Sequence, residues 1–182
     1  MKVRHSDSLI LIWRLAELEA RHLKASTIEP SHLLLGLCKS VDLDLTALVQ
    51  KDSPDRDEVL EELLREVRRL RTIFRAAGLD ARTFRRALRR KSCGNRIASS
   101  ASQRLRRSKA AKQVFADAEH FAEMANSLVF PIQLLFAVVS TNDEVRDDLL
   151  DQLGVEPERL RKVAKREVAF PWAAEKPSAG RN

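Results

Sequence analysis

The chain has 182 residues, 44% of them hydrophobic, with 33 Lys and Arg against 26 Asp and Glu and a formal net charge of +7. A chain of this length can bury roughly 70% of its unfolded surface in one core, and with only five glycines the composition excludes a disordered low-complexity protein. No apolar run reaches the ~20 residues that span a bilayer, and Leu9–Trp13, which follows Asp7, is too short for a signal-peptide core, so a cytoplasmic protein with no membrane partner is expected.

From Ser6 to Lys24, Leu9, Ile12, Trp13, Ala16, Ala20 and Leu23 recur at helical spacing, which predicts a long amphipathic helix. Pro30 suits the first turn of a second helix, where its missing N–H is no loss, and Ser31–Lys39 follows as a nearly all-apolar, buried element. A shorter segment spans about Asp42 to Gln50 and ends in the turn Lys51-Asp52-Ser53-Pro54. Asp57–Ala77 reads as a helix with Leu60, Leu63, Leu64, Val67, Leu70, Phe74 and Ala77 inward, stopped by Gly78. Asp80 then caps a helix to about Arg90. Lys91–Ala101 is polar and small enough for a linker. Beyond it lie a second long helix, Ser102–Asn126, with Ala111, Val114, Phe115, Ala118, Phe121 and Ala125 on its stripe, and a second buried one, Pro131–Ser140. Asp143–Leu153 is a third, stopped by Gly154, and Pro157 opens a last helix to about Val168.

The order of elements repeats. T-I-E-P-S-H-L-L-L-G-L at 27–37 returns as L-V-F-P-I-Q-L-L-F-A-V at 128–138. Gly78-Leu79-Asp80 leads to Phe84-Arg85 as Gly154-Val155-Glu156 leads to Leu160-Arg161. Two elements recurring in the same order mark a duplicated unit. The expected organisation is therefore all-α: one domain over 1–170, with repeat one over about 6–90, a linker at 91–101, repeat two over about 102–169, and a frayed tail at 171–182. Between Pro30 and Gly78 the first half is about 25 residues longer than the second is between Pro131 and Gly154. That excess, mostly the helix at about 57–77, is expected on a surface.

A long helix, then I-E-P-x-H-L-L-L-G-L, a short helix and Gly-[Leu/Val]-[Asp/Glu]-x-x-x-[Leu/Phe]-Arg, all twice, resembles the double Clp repeat, the N-terminal domain of the Clp/Hsp100 unfoldases, over roughly residues 6–168. The resemblance implies a pseudo-twofold helical module that recognises substrates or adaptors and passes them to an ATPase ring. No glycine opens the G-x-x-x-x-G-K-[ST] loop that an ATPase needs, so the chain is similar to a free-standing Clp N-domain, for which the family implies an adaptor, decoy or accessory role. The partners so implied are protein clients or a Clp/Hsp100 ATPase. Family members that bind phosphoarginine place a glutamate immediately before the histidine or its equivalent. Here Ser31 and Ile132 stand there, with Glu29 the nearby carboxylate of the first half. His32 is matched by Gln133, which favours a shared hydrogen-bonding role over metal or catalysis. The two loops, Thr27–His32 and Leu128–Gln133, are expected near the junction of the halves, making Thr27, Glu29, Ser31, His32, Phe130, Ile132 and Gln133 the candidate peptide or partner contacts. Phe130 and Ile132, apolar where helix starts are often polar, either meet a hydrophobic peptide or pack against the other half.

Between Ala81 and Lys112 stand twelve Lys or Arg and no Asp or Glu, while the rest of the chain has 21 basic against 26 acidic residues. Arg85, Arg86, Arg89, Arg90, Arg104, Arg106 and Arg107 are the candidate basic surface. It reads as a solvated face with arginines paired to Asp57, Glu58, Glu61 and Glu62, as a dock for an acidic partner, or as a nucleic-acid contact with salt-dependent affinity. Against the last, the stretch has only Phe84 and Phe115 nearby for stacking. His5, His22, His32 and His120 form no H-E-x-x-H or similar metal motif, no G-x-S-x-G elbow occurs, and Cys38 and Cys93 have neither metal-ligand spacing nor a local activator. The chain reads as a non-enzyme with no cofactor, in a reducing compartment.

Overall fold

The computed structural model describes residues 4–47, 56–92 and 105–169. The Lys51–Pro54 turn, Cys93, Arg104, the expected linker beyond Ser92 and the tail from Phe170 lie outside the described residues. In chain order the elements are α1 (Asp7–His22), β1 (Thr27–Ile28), α2 (Pro30–Ser40), a 3-10 turn (Leu45–Ala47), α3 (Arg56–Ala77), α4 (Ala81–Ser92), β2 (Arg106–Arg107), α5 (Lys109–Met124), α6 (Pro131–Ser140), α7 (Glu144–Gln152) and α8 (Pro157–Ala169).

The duplication is written into the backbone. Ser6 and Ser108 cap α1 and α5, their hydroxyls accepting from Leu9 N–H at 3.3 Å and Ala111 N–H at 3.1 Å, which satisfies an amide the first turn leaves open. Both helices run 16 residues and end at a left-handed residue, Lys24 (φ 55°) and Asn126 (φ 48°). Gly78 (φ 79°) and Gly154 (φ 73°) terminate α3 and α7 in the same way, a conformation glycine adopts without a Cβ clash.

The two repeats are tied by exchanged backbone hydrogen bonds. Ser6 N–H donates to Val129 C=O at 3.1 Å and Val129 N–H to Arg4 C=O at 2.9 Å. In the matching place Ser108 N–H donates to Ile28 C=O at 3.0 Å, and β1 pairs in parallel with β2, Thr27 opposite Arg106 and Ile28 opposite Arg107. This pairing corrects the expected start of the second long helix. Arg106 and Arg107 are extended against β1, and the helix begins only after the Ser108 cap.

Within each repeat the first helix packs on the second; between repeats α2 meets α6, α4 meets α7 and α3 meets α8. The halves therefore join chiefly through their buried second helices and their last two helices, with the first helices α1 and α5 meeting at Trp13 and Phe115. One contiguous core results, with Ile12, Ala16, Leu33, Leu35, Leu37, Val114, Ala118, Leu134 and Leu135 at most 1% exposed. The short segment expected from Asp42 is, among the described residues, the single turn Leu45–Ala47. The excess length of the first half is also differently disposed. Helix α3 is the counterpart of α7, extended at its N-terminal side, and that extension is more than surface decoration: it buries Leu63, Glu66 and Val67, and α3 as a whole packs on α1, α6 and α8.

Helices α1 and α2 touch backbone to backbone at Gly36. A Cβ there would lie 2.7 Å from Ile12 O and 3.0 Å from Ala16 N, main-chain atoms that cannot yield separately from the helix. Gly36→Ala is therefore expected to cost about 2 kcal/mol, within the range for overpacking a core; urea unfolding monitored by far-UV circular dichroism checks it, and an unchanged midpoint would mean the helices slide apart freely.

Candidate functional site

The sequence places the candidate contacts at the N-termini of α2 and α6, and the two helix starts are built alike. His32 Nδ1 accepts from Glu29 N–H at 2.9 Å, and Gln133 Oε1 accepts from Phe130 N–H at 2.9 Å, each side chain reaching back one turn to an amide outside the helical ladder. This shared hydrogen-bonding role is what the His/Gln exchange between copies implies. Both side chains are buried. Thr27, Glu29 and Ser31 stay half-buried, and the Glu29 carboxylate accepts from the Thr27 hydroxyl at 2.7 Å. Phe130 and Ile132 are 8% and 6% exposed and lie with Pro131 against Arg65, Glu66 and Arg69 of α3. Of the two readings of these residues, the packed one describes where they sit, and they offer little surface to a peptide. The loops are not paired with each other; each is drawn to the lead-in of the opposite repeat.

Two buried titratable groups flank these helix starts. Burial pushes the His32 ring below its ordinary value of 6.5, against the opposing pull of Glu29 and Glu19. With Nδ1 already accepting, the neutral ring carries its proton on Nε2. Glu66 of α3 accepts from the Ser6 hydroxyl at 2.9 Å, so the cap of α1 is held by another helix. Burial pushes this carboxyl up to about 7, with Ser6 and Ser8 opposing and Glu62 and Asp7 reinforcing the shift.

The basic residues divide by what they touch. Arg89 of α4 grips Glu19 of α1 through Nε at 2.6 Å and a second nitrogen, and Lys39 of α2 joins at 3.5 Å. Burial alone would push Glu19 up, but the Arg89 and Lys39 contacts outweigh it and hold the carboxyl below its ordinary range. Arg85 pairs with Asp42 at 3.4 Å. These partners are not the carboxylates of Asp57–Glu62 that the sequence suggests, and the two arginines are structural. Arg86 and Arg90 are exposed on α4, Arg106 and Arg107 are exposed on β2, and Arg104 lies outside the described residues.

Arg107 leads to a feature the sequence reading misses. Its guanidinium carbon stands 5.7 Å from the Trp13 ring and 5.0 Å from the Phe115 ring, a cation over two aromatic faces. Trp13 and Phe115 meet edge to face at 5.6 Å. Around them, His5, Leu9, Ile10, Arg14, Leu105, Arg106 and Lys112 complete a groove of about 550 Å³ between α1 and α5, a size ordinary for a ligand site. Periodicity assigns Trp13 and Phe115 to apolar stripes. That both stripes open onto one groove is decided by the β1–β2 pairing, for which the sequence carries no periodic signal.

No protein-family model and no curated protein matches the sequence. Solved structures do match. The Hsp104 N-terminal domain from Candida albicans superposes with a TM-score of 0.61 at 18% identity, spanning 88% of this chain and 89% of that one. The N-terminal domain of the caseinolytic protease associated chaperone ClpD from Arabidopsis thaliana gives 0.60 at 17%, over 91% and 95%. A structure from a malarial protein secretion system gives 0.64 at 16%, over 94% and 99%. The chain has the Clp N-domain fold.

That fold bears out the resemblance read from the repeated motif and the all-α, two-repeat class expected with it. In this Clp N-domain fold the two motif helices serve as buried braces, and an open concavity lies beside them, over the first helices. Among the described residues no helix is long and apolar enough to cross a membrane.

The ion pair and the two titrating groups give measurable consequences. Arg89→Met leaves Glu19, 1% exposed, with Lys39 alone, and is expected to cost about 3 kcal/mol, as for one partner removed from a buried pair; a loss within the noise of urea unfolding would return Arg89 to the free surface. His32 binds its proton less readily folded than unfolded, so its contribution to stability is complete above about pH 6.5 and lost as pH falls below that. Glu66 has the opposite sign, with a contribution complete below pH 4.5 and lost as pH rises through about 7. Glu66→Gln should therefore gain on the parent by about 3 kcal/mol between pH 4.5 and pH 8, and His32→Gln, which supplies the acceptor Gln133 supplies, should flatten the acid side. Equal pH slopes in parent and variants would exclude these two groups as the source.

Proposed function

We propose that the chain is a non-catalytic protein-recognition module that binds client segments or a Clp/Hsp100 partner, as an adaptor or accessory factor in regulated proteolysis. The observation that supports it is the extent of the likeness: the match to the Hsp104 and ClpD N-terminal domains takes in nearly the whole of both partners in each comparison, so the chain is matched as an entire domain and not as a shared helical hairpin. The residue chemistry agrees. Cys38 is fully buried and its thiol is pushed upward by that burial, which removes it as a nucleophile, and His32 is occupied with a backbone amide.

The second reading, a nucleic-acid-associated protein that reuses the fold, loses two of its expected contacts, because Arg85 and Arg89 are engaged by Asp42 and Glu19. The intact protein used as bait in native lysate at moderate salt, with and without nuclease and read by mass spectrometry, separates the two. Clp/Hsp100 ATPase or protease subunits are expected in the bound fraction irrespective of nuclease. Recovery of nuclease-sensitive material alone would overturn the proposal and shift the function to the basic residues.

A further inference from the structure

The groove over the first helices is assembled from the same positions of both repeats. Aligned on the caps Ser6 and Ser108, His5 matches Arg107, Ile10 matches Lys112 and Trp13 matches Phe115, and all six line the groove. The ring contacts match too: His5 stands 6.3 Å from Phe115 as Arg107 stands 5.7 Å from Trp13. The groove thus straddles the pseudo-twofold axis.

Its chemistry is not symmetric. Repeat one contributes Leu9, the 49% exposed Ile10 and the half-buried Trp13, together with Arg14 and His5, which face Glu17 at 3.4 Å and Glu119 at 3.3 Å. Repeat two contributes Arg106, Arg107 and Lys112, all exposed, and among the described residues none of the three is paired with a carboxylate. Arg107 is positioned by the two rings beneath it, so less rotamer freedom is lost when its planar fork meets an anion. The walls thus differ: the basic groups of the first already face carboxylates beside exposed Ile10 and Trp13, while the second, with Leu105 and Phe115, presents three cations without a carboxylate among the described residues. A ligand with one apolar group and flanking negative charge matches that division.

We infer that this groove binds an acidic peptide segment carrying one bulky apolar side chain, that side chain against Ile10 and Trp13 and the flanking carboxylates against Arg106, Arg107 and Lys112. The inference rests on the protein-recognition reading and adds the chemistry of what is recognised. A nucleic-acid strand fits less well. Arg107 already covers the rings on which a base would stack, and the carboxylates of Glu17 and Glu119, beside Arg14 at 3.4 Å and His5 at 3.3 Å, set negative charge next to the basic spot, where a phosphate track would need to continue.

In a Trp172→Phe background Trp13 is the sole tryptophan of the chain, and its emission reports occupancy. A blocked peptide with a Glu-Glu-Phe-Glu-Glu core is expected to give a saturable change that weakens with salt. Replacing its Phe by Ala should weaken binding roughly tenfold, as should Arg107→Glu in the protein, and a Lys-Lys-Phe-Lys-Lys core should not bind. Arg106→Glu serves as the second variant: among the described residues Arg106 makes no ring contact, so its effect on binding does not come from loss of the Trp13–Phe115 stack, and an unchanged melting temperature verifies that. Equal response to acidic and basic peptides, no response to either, or displacement of the acidic peptide by a tighter-binding oligouridylate would overturn the inference. Capture from lysate distinguishes its failure from that of the reading beneath it: no Clp/Hsp100 capture with acidic-peptide binding intact leaves the groove standing without that partner, whereas capture with no peptide response leaves the recognition reading and removes the groove.

Discussion

Everything else in this molecule depends on the exchange of backbone hydrogen bonds between repeats. Arg4–Ser6 pairs with Val129, and Arg106–Ser108 pairs with Thr27–Ile28. Both sets place the strand-like lead-in of one repeat beside the motif loop of the other. These amides and carbonyls sit at helix starts over a closed core, and each would cost free energy if buried without a partner. Neither repeat can satisfy its own lead-in, so the pair is the folding unit. The exchange also sets the position of Ser6 and Ser108 as caps, fixes where α1 and α5 begin, and brings Trp13 to Phe115.

How much of this could be read from the residues follows from the range of the interaction that decides each feature. Helices α1, α2, α6, α7 and α8 lie close to their expected bounds, because caps, prolines and stripes act within a turn or two. The matched His32 and Gln133 announced a common hydrogen-bonding role, which the duplication alone made visible. Helix α5 was expected to start at Ser102 because a two-residue strand has no period to detect, and its partner lies in the other repeat. Glu66 and Arg146 illustrate the same limit. Arg146 is 2% exposed, with its guanidinium donating to Val138 O at 2.7 Å and Thr141 O at 2.8 Å; in a helix that reads as charged and solvated, nothing local says that it closes the C-terminal end of α6. Gly36 stood in the motif as one more small residue, and only the approach of Ile12 O shows that no larger one fits.

The repeats have diverged where α3 exceeds α7. The added turns of α3 bring Arg65 and Glu66, next to Arg69 of the shared part, against Phe130 and Ile132, covering the start of α6, while the equivalent start of α2 keeps Thr27, Glu29 and Ser31 half-buried beside β2. The extension therefore changes which of two equivalent helix ends remains open. It also makes the α1 cap depend on a carboxyl whose titration burial pushes up to about 7, since Ser6 is held by Glu66, so this lead-in is coupled to pH.

A groove on a twofold axis carries a difficulty for recognition: if its walls were identical, a chain could enter in either direction with equal affinity. The backbone here is fixed by the exchanged hydrogen bonds, which involve main-chain atoms and leave side-chain identity at the lead-ins unconstrained. Substitution at matched positions can then polarise the groove without disturbing the fold, and His5 against Arg107, and Ile10 against Lys112, are such substitutions. Direction arises because apolar contact and ion pairing respond to different parts of a ligand and both are strongest in one orientation. Duplication supplies the concavity, and the divergence of a few exposed positions would supply the specificity of the peptide site inferred for it.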